Sequence, residues 1–199
     1  MPKLTLTDFV DIVARSGTRK ATKVAGVKNR PAYSPATDFY KPIRDGLADI
    51  HKNSKPKSAL KDILRTLTDP KKQANYPTIV AGYAKWWGRK TFEWFDPPSS
   101  VFTSAGIDVV VNPELGLEFN GRPHVIKLYF KGEPLTKNRI TIVTQLMEAE
   151  LRQNSPEGAL MAVLDTRTSK LIPGSAVSPV VTAILQAELA YIAALWPNV

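Results

Sequence analysis

The chain has 199 residues, 43% of them hydrophobic, with 4 Trp, 6 Tyr and 7 Phe; this excludes a disordered polymer and allows one well-buried core with a helical extension. It contains no Cys, so disulfides, thiolate zinc sites and cysteine nucleophiles are excluded, and a reducing, cytoplasmic setting is expected. The net charge of +9 is lopsided. Residues 1–97 hold 19 Lys/Arg against 9 Asp/Glu, a net of +10, whereas residues 98–199 hold 8 against 9, a net of −1. Such a split points to an acidic partner met by the first half, nucleic acid or an anionic surface, against the alternative of a merely solvated basic face.

Met1 to Arg15 has no apolar run after a basic start, so no signal peptide is expected. Thr5 to Ala14 reads as a short helix with Leu6, Phe9, Val10 and Val13 on one face and Thr7 as its cap. Residues 16–37 scatter Arg19, Lys20, Lys23, Lys28 and Arg30 among Ser, Gly and Pro, a pattern expected of a basic loop or arm. Asp38 to Lys52 is helical through Ile43, Leu47 and Ile50. Pro56 to Leu67 is the next expected helix, with Leu60, Ile63, Leu64 and Leu67 inward. Lys57, Lys61 and Arg65 then recur every four residues on the outer side. Such a cationic stripe can track a phosphate backbone, so Arg19, Lys20, Lys57, Lys61 and Arg65 are the candidate nucleic-acid contacts.

Pro77 to Trp87 makes a further helix, and its Trp86-Trp87 pair and the Phe92 to Phe95 cluster suit a core better than a base-stacking platform. Pro97-Pro98-Ser99-Ser100 breaks the pattern where the charge changes sign. Strands are expected at Ile107 to Val111, Leu115 to Phe119 and His124 to Phe130, with Asn120-Gly121 as a tight hairpin turn. Thr136 to Arg152 is a helix, and Ala159 to Leu164 is a strand covered on both faces, continued past a turn by Leu171-Ile172. Pro179 to Leu195 is the most apolar stretch; with Gln186 and Glu188 inside it, a buried helix is expected rather than a membrane span. No P-loop, dinucleotide fingerprint, serine elbow or zinc spacing occurs, and His124 stands alone in its region.

From residue 77 the order is helix, three closely joined strands, helix, strand. The expected fold is α/β, a mixed four- to five-stranded sheet flanked by helices. A basic helical region, residues 1–75, packs on a core formed by residues 76–199. The run Val111-Asn112-Pro113-Glu114-Leu115, the turn Asn120-Gly121 and the strand His124-Val125-Ile126-Lys127-Leu128-Tyr129 resemble the PD-(D/E)XK nuclease superfamily over about residues 77–172. The resemblance implies a restriction-endonuclease-like α-β-β-β-α-β core, with Glu114 as the first metal-binding acid. The third strand departs from the pattern: one frame puts Lys127 in place of the second acid and Tyr129 in place of the lysine, the other puts Val125 where the acid belongs.

A degenerate catalytic site of Glu114, Lys127 and Tyr129 is therefore expected, needing no cofactor. Only if it is active would magnesium be held by Glu114 with Asp108 or Glu118. Three functions follow as expectations. The first is a nucleic-acid-binding protein on a nuclease-like fold, its partner DNA ahead of RNA. The second is a metal-dependent nuclease with a displaced acid, and the third a module whose basic face meets an acidic protein. No membrane partner is expected.

Overall fold

The computed structural model describes residues 1–35 and 37–199. Among the described residues, eight strands form two sheets. The larger runs in the order β2 (Glu93–Phe95), β5 (Leu115–Phe119), β6 (Arg122–Tyr129), β7 (Leu160–Asp165) and β8 (Lys170–Pro173); the smaller runs β1 (Lys3–Thr5), β4 (Ile107–Val111), β3 (Ser100–Ser104). Strands β6 and β7 are parallel and are joined across the helix α6 (Lys137–Leu151); the other pairs of the larger sheet are antiparallel. In the smaller sheet β1 is parallel to β4 and β3 antiparallel.

The strands from 107 to 129 and the α6 crossover follow the expected order, and the Asn120-Gly121 turn forms with both residues at positive φ, 52° and 72°. This is the backbone a two-residue hairpin requires. The expected meander of three adjacent strands does not form. Strand β4 leaves for the smaller sheet, and the place beside β5 is taken by β2, whose Phe95 carbonyl lies so close over Gly116 that a Cβ there would come within 2.3 Å of it. Glycine is what admits β2 to that edge.

The larger sheet separates two cores. On one face Val125, Met161 and Val163 meet β1, β4, α6, the helices α1 (Leu6–Val13) and α2 (Gly17–Lys28), and α7 (Pro179–Leu195). On the other, Leu117, Ile126, Leu128 and Leu164 meet α3 (Lys41–Lys52), a short turn of helix with α4 (Asp62–Arg65), and α5 (Pro70–Trp87). Residues 1–75 are therefore mainly helical but are divided between both faces. They supply a strand to the smaller sheet, and α5 runs across the boundary expected at 75.

Four local expectations are corrected. The cap of α1 is Thr5, whose hydroxyl accepts from the Asp8 N–H, rather than Thr7. Residues 17–28 are a helix, not a loop, because Val24 and Val27 bury a narrow stripe against α1 and α7. Helix α5 begins at Asp69-Pro70, where the Asp69 carboxylate accepts from the N–H groups of Lys71 and Lys72, and it accommodates Pro77 internally. Helix α7 is mostly exposed. It buries only Leu185, Leu189 and Ile192, so the expectation of a buried helix fails. By length and composition Pro179–Asn198 could cross a membrane, with a mean hydropathy of 1.5, but its inner residues pack on this core.

Charge ties the elements of the first core. Asp11 on α1 accepts from Arg139 of α6 at 2.9 Å and from Lys131, with Lys23 of α2 at 3.6 Å. Burial pushes the Asp11 carboxyl up, but hydrogen bonding and charge from Lys131, then Lys23 and Arg139, outweigh it and hold the group below the usual carboxylate range. The second core encloses an aromatic cluster in which His51 bonds the Tyr83 hydroxyl at 2.6 Å and stacks on Trp87. Burial lowers His51 to about 4 from its ordinary 6.5. The unfolded chain thus binds a proton on His51 between those values that the folded chain refuses, so stability is lost as pH falls through that window, by up to about 3 kcal/mol. Melting temperature is expected to drop between pH 6.5 and 4.5. The slope should flatten in a His51→Phe/Tyr83→Phe double variant, which removes both partners and keeps only the smaller share of His124, also lowered by burial.

Candidate functional site

Strand β5 begins at Leu115, paired with Ile126, and the Glu114 N–H still donates to the Ile126 carbonyl at 3.1 Å. Beyond this point the chain has no further backbone to offer β6, because residues before Pro113 belong to the smaller sheet. The Glu114 side chain takes over. Its Oε2 accepts from the Leu128 N–H at 2.7 Å, extending the ladder, and its Oε1 accepts from Lys127 Nζ at 2.6 Å. Lys127 also donates to the Asn112 carbonyl at 2.9 Å, and the two side chains are only 10% and 12% exposed. Both carboxylate oxygens and two of three ammonium protons are thereby used inside the fold.

The structure joins Glu114 and Lys127 but not Tyr129. The Tyr129 hydroxyl donates to the Glu133 carbonyl at 2.8 Å, and burial raises its pKa. Lys127 and Tyr129 share a cavity of about 40 Å³ with Leu6, Val10 and Asp11, so α1 covers this face of β6. The other candidate ligands lie apart. Asp108 is carried into the smaller sheet, where Thr103 Oγ1 donates to it at 2.7 Å; Glu118 is exposed opposite Glu93 and Pro123. Among the described residues no group of three or more metal-ligating side chains converges. A magnesium ion needs several converging oxygen ligands. Glu114 brings one carboxylate, already paired with Lys127 at 2.6 Å, while Asp108 and Glu118 lie apart from it, so the donor set does not fit the ion.

The cationic candidates divide as well. Residues 57–65 are a 3-10 turn (Lys57–Lys61) followed by the four residues of α4, so the expected α-helical stripe is broken. Lys57 turns away and donates to the Gly88 carbonyl at 3.0 Å, while Lys90 donates to the Trp86 carbonyl; two ammonium groups thus cap the end of α5. Burial, and then the charge of Lys57, lowers Lys90. Lys61 and Arg65 face instead an open groove of about 740 Å³ that Lys55 also lines. The sequence reading missed Lys55. Its only signal was Ser54, whose φ of 49° turns the chain after α3. Lys20 is committed to Glu188 of α7 at 2.7 Å and is 12% exposed on its side chain, whereas Arg19 is exposed. His124 stacks on Phe119 with ring centroids 3.9 Å apart and bonds the Arg122 carbonyl, a structural role.

Comparison of the sequence with known protein families and with curated proteins finds no match.

Removing the Glu114 carboxylate leaves a buried ammonium and an orphaned Leu128 N–H. Glu114→Ala is expected to cost about 3–5 kcal/mol in denaturant unfolding. Glu114→Ala/Lys127→Met should recover part of this, because the unpaired charge is gone. Equal losses in the single and double variants would show that the pair is not what holds the strands.

Proposed function

We propose that this protein binds nucleic acid, DNA ahead of RNA, on a nuclease-like α/β fold whose catalytic position is closed by the Glu114–Lys127 pair. The observation that carries the reading is the groove flanked by Lys55, Lys61 and Arg65. Lys61 has no ion-pair partner among the described residues, while Lys55 and Arg65 share their charge with Asp49 at 2.5 Å and Asp62 at 2.7 Å. These two pairs are solvent-exposed, so each is worth under about 1 kcal/mol, and a phosphate oxygen competes with the carboxylate at small cost. Residues 38–97, which form the layer on this side of the sheet, hold 12 Lys/Arg against 7 Asp/Glu, a net of +5 that draws a polyanion toward it.

Phosphate neutralisation leaves a measurable mark, because each contact releases a counterion. Lys61→Glu/Arg65→Glu is expected to weaken binding to a short duplex severalfold or more. The slope of log affinity against log salt should flatten by about two, with circular dichroism unchanged. Lys57→Glu should act differently, lowering the melting temperature through loss of the α5 cap while the salt slope stays close to that of the parent protein. Fluorescence anisotropy on duplex and single-stranded oligonucleotides across about 50–200 mM salt makes the comparison. Unchanged affinity in the double variant would mean that the groove is a solvated surface and that nucleic acid is not its partner.

A further inference from the structure

Helix α7 carries four of the seven large apolar side chains that the described residues expose, counting Val177 just before it: Val177 at 50%, Val180 at 69%, Ile184 at 52% and Tyr191 at 43%. The face they occupy has a period. Val180, Ile184, Ala187, Tyr191 and Ala194 follow one another at steps of four, three, four and three, the seam of a helix that packs along another helix. A helix lying against lipid needs apolar residues but no such seam, and a core helix would bury it.

The seam also has a size pattern. Turned end for end about Ala187, the helix sets Val180 opposite Ala194, Ile184 opposite Ala190, and Tyr191 opposite Ala183, with Ala187 opposite itself. Every large side chain meets a small one, which lets two copies of α7 approach closely and interlock without a void. A pattern that is its own complement under a twofold rotation is what a symmetric pair requires. No charge interrupts it. The one acid of the helix, Glu188, lies to the side and is neutralised by Lys20, whose ammonium also sits over the Tyr191 ring at 5.1 Å and fixes that side chain.

We infer that two copies of this chain associate through α7, antiparallel, about a twofold axis at Ala187. The seam runs from Val180 to Ala194 on a helix of 17 residues, about 21 Å. One helix stripe covers less than the roughly 800 Å² per partner of a standard interface, so the dimer is a weak, reversible one. Each copy carries +9, so screening the repulsion tightens the pair, and salt strengthens this association as it weakens the binding of a polyanion.

Sedimentation equilibrium of the full chain over a hundredfold range of concentration tests this. A monomer–dimer equilibrium that tightens with salt is expected. Ile184→Glu should raise the dissociation constant at least about tenfold, since it seats an unpaired carboxylate in the seam, with little change in melting temperature. The chain has no cysteine, so a single introduced thiol reports geometry cleanly. Ala187→Cys should form a disulfide-linked dimer on mild oxidation. Ala194→Cys should not, because antiparallel pairing puts its two copies about 21 Å apart along the axis. A monomer at every concentration would overturn the inference. So would linking by Ala194→Cys as readily as by Ala187→Cys, or a dimer indifferent to Ile184→Glu. Flotation of monomers with anionic vesicles, abolished by Ile184→Glu, would instead make this face a lipid surface.

Discussion

A single ammonium group sits at the joint of the two sheets. Between Val111 and Leu115 the chain passes from one sheet to the other, and a chain that changes sheets abandons the hydrogen-bond ladder of both. Lys127 repairs the damage by holding the Asn112 carbonyl on one side of the crossing and the Glu114 carboxylate on the other, while Glu114 supplies Leu128 with the acceptor that a strand residue would have given. Charged groups so enclosed stabilise only as a pair, since either alone is an uncompensated charge away from water. The placement of β5 against β6, and of both cores against the sheet between them, follows from that joint. The same two residues that the sequence offers to catalysis are consumed in holding the strands.

Much of the basic character of the first half is spent in the same way. Lys20 fastens α2 to α7 through Glu188, and Lys28 holds the residues just after α7 through the Trp196 and Val199 carbonyls at 2.7 and 2.6 Å. Lys23 and Arg30 answer Asp11 and Asp8 on α1. A net charge counted along the chain therefore overstates what reaches solvent. Where α3 gives way to α4, Lys61 is unpaired among the described residues and Lys55 and Arg65 are held only in exposed pairs, which is why the groove there, rather than α2, carries the functional reading.

The sheet was legible where local rules act alone. Alternation at Leu115 to Phe119, the Asn120-Gly121 turn and the β-branched run of β6 specify themselves. What escaped was pairing. Nothing in Ile107 to Val111 tells whether β4 lies beside β5 or beside β1, because that choice rests on contacts more than a hundred residues apart. At the site, the sequence supplied Glu114 and Lys127, but the route of Lys57 to Gly88 and the arrival of Lys55 at the groove depend on a 3-10 turn that no apolar period signals. For α7, the apolar count suggested burial; the alternation of large and small residues on its outer side is visible only once the inner side is known.

The pairing of β1 with β4 has a consequence for the order of events during synthesis. Lys3 lies beside Asp108 and Thr5 beside Val110, so β1 has no partner until a hundred further residues have appeared. At the pace of translation this leaves Leu4 and Leu6, both fully enclosed in the finished molecule, facing solvent for several seconds or more. The α3–α5 layer, whose helices are close neighbours in sequence, can gather meanwhile, but the smaller sheet must close late. A waiting amphipathic segment of this kind is a natural target for chaperones.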